Sequence, residues 1–159
     1  AIKKEAAPEE SVFAAIESMS TLNKGAVQAL QGLEVHAVTD VTGYGLLGHL
    51  QEMCQASTVS ARIDFQHLKF FPGVRDLAGA GMIAGGTHRN LEYIKDYTEF
   101  DPQLTEVDLF LAADAQTSGG LLVALPREDA EKFIAAFSPA ACQIGKIITQ
   151  RESLVFLNN

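Results

Sequence analysis

Apolar residues recur along this chain in two periods, and the switches between them predict its elements. After Pro8, the acids Glu9 and Glu10 and the apolar positions Val12, Phe13, Ile16 and Met19 predict a helix whose early negative charge suits its positive end. Ser20 and Thr21 stand where a second helix needs a cap, and Leu22, Ala26, Ala29 and Leu30 follow at three- and four-residue spacing until Gly32. Val35 to Val41 is β-branched and loosely alternating, a short strand; Leu46, Leu50, Met53 and Cys54 return to helical spacing. Val59 to Phe65 alternates with period two, as a half-buried strand does. Phe71-Pro72-Gly73 breaks the chain before a short helix over 74–80, and Gly79, Gly81, Gly85 and Gly86 predict a flexible crossing.

Behind Pro102, residues 104–112 predict a helix, 121–125 a fully apolar strand, and 127–137 an amphipathic helix with Ala130, Phe133, Ile134 and Phe137 inward. Strands over 143–149 and 153–157, joined at Gln150-Arg151-Glu152, predict a hairpin. This mixture of helices with about five strands predicts an α+β fold, a mixed β-sheet covered by helices. Residues 1–8 read as a frayed or linker preamble and 9–159 as one domain. At 159 residues and 47% hydrophobic composition there is material for a single sizeable core.

Charge narrows the function. A formal net charge of −8, with no basic run to offset it, argues against nucleic acid as a partner. No apolar run approaches the ~20 residues of a membrane span, and the start lacks the apolar core of a signal peptide. A cytoplasmic protein with no membrane partner is expected. Cys54 and Cys142 are the only cysteines, too few for a disulfide scaffold, and both are expected to be reduced, buried small hydrophobes.

The densest candidate chemistry lies where the strand before Val41 gives way to the helix after Gly45. Asp40 sits near the strand's carboxyl end, where α/β sheets carry ligands, and the helix beyond presents free N–H groups. An anion on the amides and a cation on the acid would suit such a site. On the residues alone a helix cap or turn near Gly43 is the commoner role for Asp40, and Thr39 and Thr42 suit capping or phosphate contact. Gly43 and Gly45 would let an anion approach the backbone or a helix pack closely; no Gly-Lys-Ser or Gly-Lys-Thr makes a Walker A loop. Gly79 to Gly85 misses the dinucleotide spacing. Thr87-His88-Arg89-Asn90 reads as a polar loop whose Arg can hold a phosphate with two parallel hydrogen bonds. The segment 114–120 reads as a tight turn before a strand, and His36, His49 and His67 as packed or surface residues.

Three of these segments also resemble one family. Asp-Val-Thr-Gly-Tyr-Gly-Leu-Leu-Gly-His-Leu at 40–50, Gly-Gly-Thr-His-Arg-Asn at 85–90 and Asp-Ala-Gln-Thr-Ser-Gly-Gly-Leu-Leu at 114–122 are similar, in order, to the C-terminal half of selenide, water dikinase, the selenophosphate synthetases. The likeness runs from about Glu9 to the end and covers about half of that family's usual protein. It implies a three-layer α/β domain shared with aminoimidazole ribonucleotide synthetase. It also implies an enzyme making selenophosphate from selenide, ATP and water, with AMP and phosphate released. The resemblance makes Asp40 a Mg²⁺ ligand and places Thr42, Gly43, His88, Arg89, Asn90 and Ser118 along the cleft. The reactive cysteine or selenocysteine, a lysine and further acids belong to an N-terminal half with no counterpart in this sequence. No catalytic residue is therefore expected in this chain, which alone should be inactive. The complete enzyme is expected to be a homodimer. The rivals are another ATP-using enzyme of the same superfamily, or a non-catalytic regulatory or assembly domain.

Overall fold

The computed structural model describes residues 1–138 and 140–159. After a short 3₁₀ turn at Ile2–Lys4 come α1 (Glu9–Ser20), α2 (Lys24–Ala29), β1 (Ala37–Asp40), α3 (Gly45–Ser57) and β2 (Val59–Asp64). A second 3₁₀ turn at Phe65–His67 leads to α4 (Val74–Gly79), α5 (Gly85–Ile94), β3 (Thr98–Phe100) and α6 (Glu106–Ala112). The chain closes with β4 (Leu121–Ala124), α7 (Arg127–Phe137), β5 (Gly145–Thr149) and β6 (Val155–Asn158).

The strands form two sheets. A four-stranded mixed sheet has the order β3-β6-β2-β5, with β2 antiparallel to β5 and parallel to β6, and β3 parallel to β6. β1 and β4 form a separate antiparallel ribbon that pairs Ala37 with Ala124 and Asp40 with Leu121. This is the α+β architecture expected, a mixed sheet with helices against it. Leu47, Leu50 and Cys54 of α3 meet Ala61 and Ile63 of β2, Val155 and Leu157 of β6, and Leu91 and Ile94 of α5 in one buried cluster. Burial pushes the Cys54 thiol up to about 11, so it is inert at neutral pH. Among the described residues no helix is long and apolar enough to cross a membrane.

Several expectations are corrected. β5 and β6 are not a hairpin, because β2 lies between them and pairs with both. Buried Ser60 pins the crossover: its Oγ donates to the Ser153 carbonyl at 2.9 Å and accepts from the Arg151 N–H at 2.9 Å. Residues 85–94 are not a flexible loop but helix α5, since Thr87, Leu91 and Ile94 recur at helical spacing and are buried. The short strand β3 has no counterpart in the periodicity. Thr21 does not start α2; it ends α1, its hydroxyl donating to the Glu17 carbonyl at 2.8 Å. α1 forms as expected, yet its apolar face is not covered: Phe13, Ile16 and Met19 are exposed, because no other element of the described chain packs extensively on it. Cys142 is exposed rather than buried.

Candidate functional site

Asp40 ends β1, and the pairing with the far segment continues past it. The Val41 N–H donates to the Gly120 carbonyl at 2.9 Å, and the Gly119 N–H donates to the Val41 carbonyl at 3.1 Å. A Cβ at Gly119 would overlap that carbonyl, so this glycine serves close backbone approach rather than a free turn. The Gln116 N–H then donates to the Thr42 carbonyl at 3.1 Å, closing the 41–45 loop onto the 114–120 loop. Gly45 opens α3 with φ +70°, and a Cβ there would lie 2.7 Å from the carbonyl oxygens of Ala113 and Asp114. Packing therefore accounts for Gly45. Gly43 is exposed with open space where a Cβ would stand, so its backbone is accessible to an anion.

Three side chains, two from α5 and one from the start of α2, hold these loops. The Asn90 amide of α5 donates to the Gly43 carbonyl at 2.9 Å and to the Ala113 carbonyl at 3.2 Å, bridging both. Its nitrogen is thus committed to the backbone. Buried Thr87 donates to Asp114 Oδ1 at 2.5 Å and accepts from the Ala115 N–H at 3.3 Å. From the opposite side, Asn23 donates to the Gly119 carbonyl at 3.0 Å across 96 positions of sequence. Asp40 itself is exposed, and its carboxylate makes no hydrogen bond or ion pair among the described residues. It caps no helix, since α3 begins at Gly45 with Tyr44 before it. Thr42 does not cap either; its Oγ1 lies 3.2 Å from His49 Nε2.

The remaining candidates divide. Arg89 shares an open recess of about 420 Å³ between α3 and α5 with Tyr44, Gly48, Glu52, Asn90 and Tyr93. It has no ion-pair partner among the described residues. His88 turns to α6, its ring edge-on to Phe110 with centroids 4.8 Å apart. Ser118 is exposed on the loop facing β1, its hydroxyl without a partner among the described residues. His36 and His67 are surface residues beside Glu34 and Asp64, while His49 is buried. Sequence reasoning missed Asn23 and Asn90 as clamps, because their acceptors are main-chain atoms that no motif marks.

A fit to Mg²⁺ rests on the donor set. No cluster of three or more His, Cys, Asp or Glu occurs among the described residues. An unengaged carboxylate at Asp40 matches the habit of Mg²⁺ of taking one or two protein carboxylates and completing its shell with water and phosphate. It cannot complete a site alone.

With this geometry in view, the relationships are direct. The family described as "AIR synthase related protein, C-terminal domain" matches residues 17–157, and the chain belongs to it. At the next level, it is 35% identical over 160 residues to a selenide, water dikinase of Clostridium botulinum (strain Alaska E43 / Type E3) and 42% over 133 residues to one of Caldanaerobacter subterraneus subsp. tengcongensis. These alignments cover 99% and 84% of the chain but 46% and 38% of the relatives, so the chain spans less than half of their length. Among solved structures, a thiamine monophosphate kinase of Aquifex aeolicus superposes with a TM-score of 0.54 at 16% identity, covering 98% of this chain and 43% of that one. That likeness shows a shared fold.

Proposed function

We propose that this chain is the C-terminal domain of a selenophosphate synthetase and supplies one wall of its active site. In the complete enzyme, selenide, ATP and water become selenophosphate, AMP and phosphate. What carries the reading is Asp40: a charged side chain without a partner among the described residues, at a strand end whose flanking loops are held by the side chains of Asn23, Thr87 and Asn90. Its chemistry suits Mg²⁺, which would neutralise polyphosphate charge during phosphoryl transfer. In this reading Asp40 holds the cation, Gly43 lets a phosphate approach the main chain, and Arg89 and Ser118 contact the polyphosphate from the rim. Asn90 maintains the Gly43 backbone, and His88 borders the cleft through α5. The nucleophile and remaining acids come from an N-terminal half, and the complete enzyme is a cytoplasmic homodimer. The relatives' names and the order of the three motifs support this choice over other ATP-using enzymes of the family.

The test uses the longer protein that carries the missing half. Asp40→Asn should abolish selenophosphate formation, followed by phosphorus NMR, while changing stability by no more than about 0.5 kcal/mol, since the side chain is exposed and has no partner among the described residues. The 159-residue chain alone should form no selenophosphate. Near-normal turnover of Asp40→Asn at saturating Mg²⁺ would refute the ligand assignment, and turnover of an aminoimidazole or thiamine phosphate substrate instead of selenide would move the protein to another branch.

A further inference from the structure

His49 occupies an unusual place for a histidine in a core helix. The residue is only 9% exposed, yet both ring nitrogens face polar partners. Nε2 lies 3.2 Å from Thr42 Oγ1, and Nδ1 lies 3.4 Å from Glu52 Oε2, one turn further along α3. The Tyr44 ring packs against the imidazole, centroids 5.7 Å apart and planes at 63°. The ring is therefore hemmed in by three neighbours and cannot turn freely.

That arrangement favours one placement of the hydrogens. The Glu52 carboxylate 3.4 Å from Nδ1 stabilises the neutral tautomer with its hydrogen on that nitrogen, which leaves Nε2 as an acceptor. The Thr42 hydroxyl hydrogen then goes to Nε2. Thr42 Oγ1 keeps its lone pairs and has no hydrogen to offer elsewhere. Thr42 lies two positions beyond Asp40, and the intervening Val41 is paired to Gly119 and Gly120 as a strand would be. Two residues apart in extended backbone, Asp40 and Thr42 fall on the same face. An oxygen that accepts without donating is a poor neighbour for a phosphate oxygen and a good one for water bound to a cation.

We propose that Glu52 and His49 are positioning residues that make Thr42 Oγ1 an obligatory hydrogen-bond acceptor for the hydration shell of a divalent cation held by Asp40. The proposal rests on the reading of Asp40 as a cation ligand; the hydrogen-bond polarity at His49 does not. It also reassigns Thr42 from phosphate contact to the cation side of the site.

Two measurements test it. In the uniformly ¹⁵N-labelled chain at neutral pH, without metal, two-bond proton–nitrogen correlations should show His49 protonated at Nδ1 and bare at Nε2. Glu52→Ala, a change at an exposed position, should shift the ring toward the Nε2-protonated form. An Nε2-protonated or doubly protonated ring in the unsubstituted chain would overturn the relay, as would an unchanged tautomer in Glu52→Ala. In the longer protein, Thr42→Val should raise the Mg²⁺ concentration for half-maximal activity by roughly tenfold, the usual scale for a group that orients a metal's surroundings. Thr42→Ser should restore the Mg²⁺ requirement. An unaltered requirement in Thr42→Val, when Asp40→Asn is inactive, sinks this proposal alone. Full activity of Asp40→Asn with the Nδ1 tautomer intact sinks the cation reading and with it the role of Thr42, while leaving the relay as a structural fact.

Discussion

The four-stranded sheet and the β1–β4 ribbon differ in what holds them. In the sheet, Ala61, Ile63, Val155 and Leu157 are buried against α3, so removal of apolar surface from water does most of the stabilising. In the ribbon only Leu122 is buried, Val38 is half exposed and Asp40 is exposed. A two-stranded ribbon is marginal by itself. Its end is instead tied by Asn23, Thr87, Asn90 and Gln116, all bonding to loop atoms. The difference teaches that the candidate site is built where apolar burial runs out and directional hydrogen bonds take over. That suits a rim that must keep a carboxylate in water yet hold its surroundings still.

The comparison breaks first at the core. Leu157→Ala should cost about 2–5 kcal/mol in denaturant unfolding, because Leu157 is wholly buried and its neighbours cannot collapse freely into the void. A loss under about 1 kcal/mol would mean that the sheet is not held by burial.

A polar device inside the scaffold sharpens the contrast. Asp108 forms a capping box with Thr105 at the start of α6, and its Oδ1 lies 2.6 Å from the Arg75 guanidinium. Burial pushes its carboxyl up, but the Thr105 hydrogen bonds and Arg75 together outweigh that and hold it below the ordinary carboxylate range. A lowered folded-state value means that its contribution is complete above the unfolded value, near ~3.9, and is lost as pH falls through the folded one. Asp108→Asn should destabilise by about 1–3 kcal/mol at neutral pH. The gap from the unsubstituted chain should narrow in acid; a gap independent of pH would rule out the ionised pair as its source.

The smallest effect belongs to the rim. Asn90→Ala should cost about 1–2 kcal/mol for its two backbone hydrogen bonds. It should speed amide exchange at Gly45 and Gln116, whose N–H groups both meet the Thr42 carbonyl, and leave β2 and β6 protected. Equal acceleration in the sheet would abolish the distinction between the two regions.

Local periodicity by itself determined most of the elements. The stretch from β1 into α3, helix α7 and the apolar β4 follow from spacing that neighbouring residues impose on one another. It also determined Asp40 as a residue at a strand's end, and the three motifs carried the family. Even α5 was legible in the spacing of Thr87, Leu91 and Ile94, although four nearby glycines suggested a loop. Tertiary structure alone decided that β2 enters between β5 and β6, because strand order is a contest among distant partners while the five residues between β5 and β6 would equally suit a tight hairpin. It alone decided that Asn23 meets Gly119 and that Asn90 spans two loops. It also turned His49 from a helix residue of no evident role into the partner of Thr42. Each of these contacts joins segments whose approach depends on how the core packs, and packing is a property of the whole chain that no short window of residues contains.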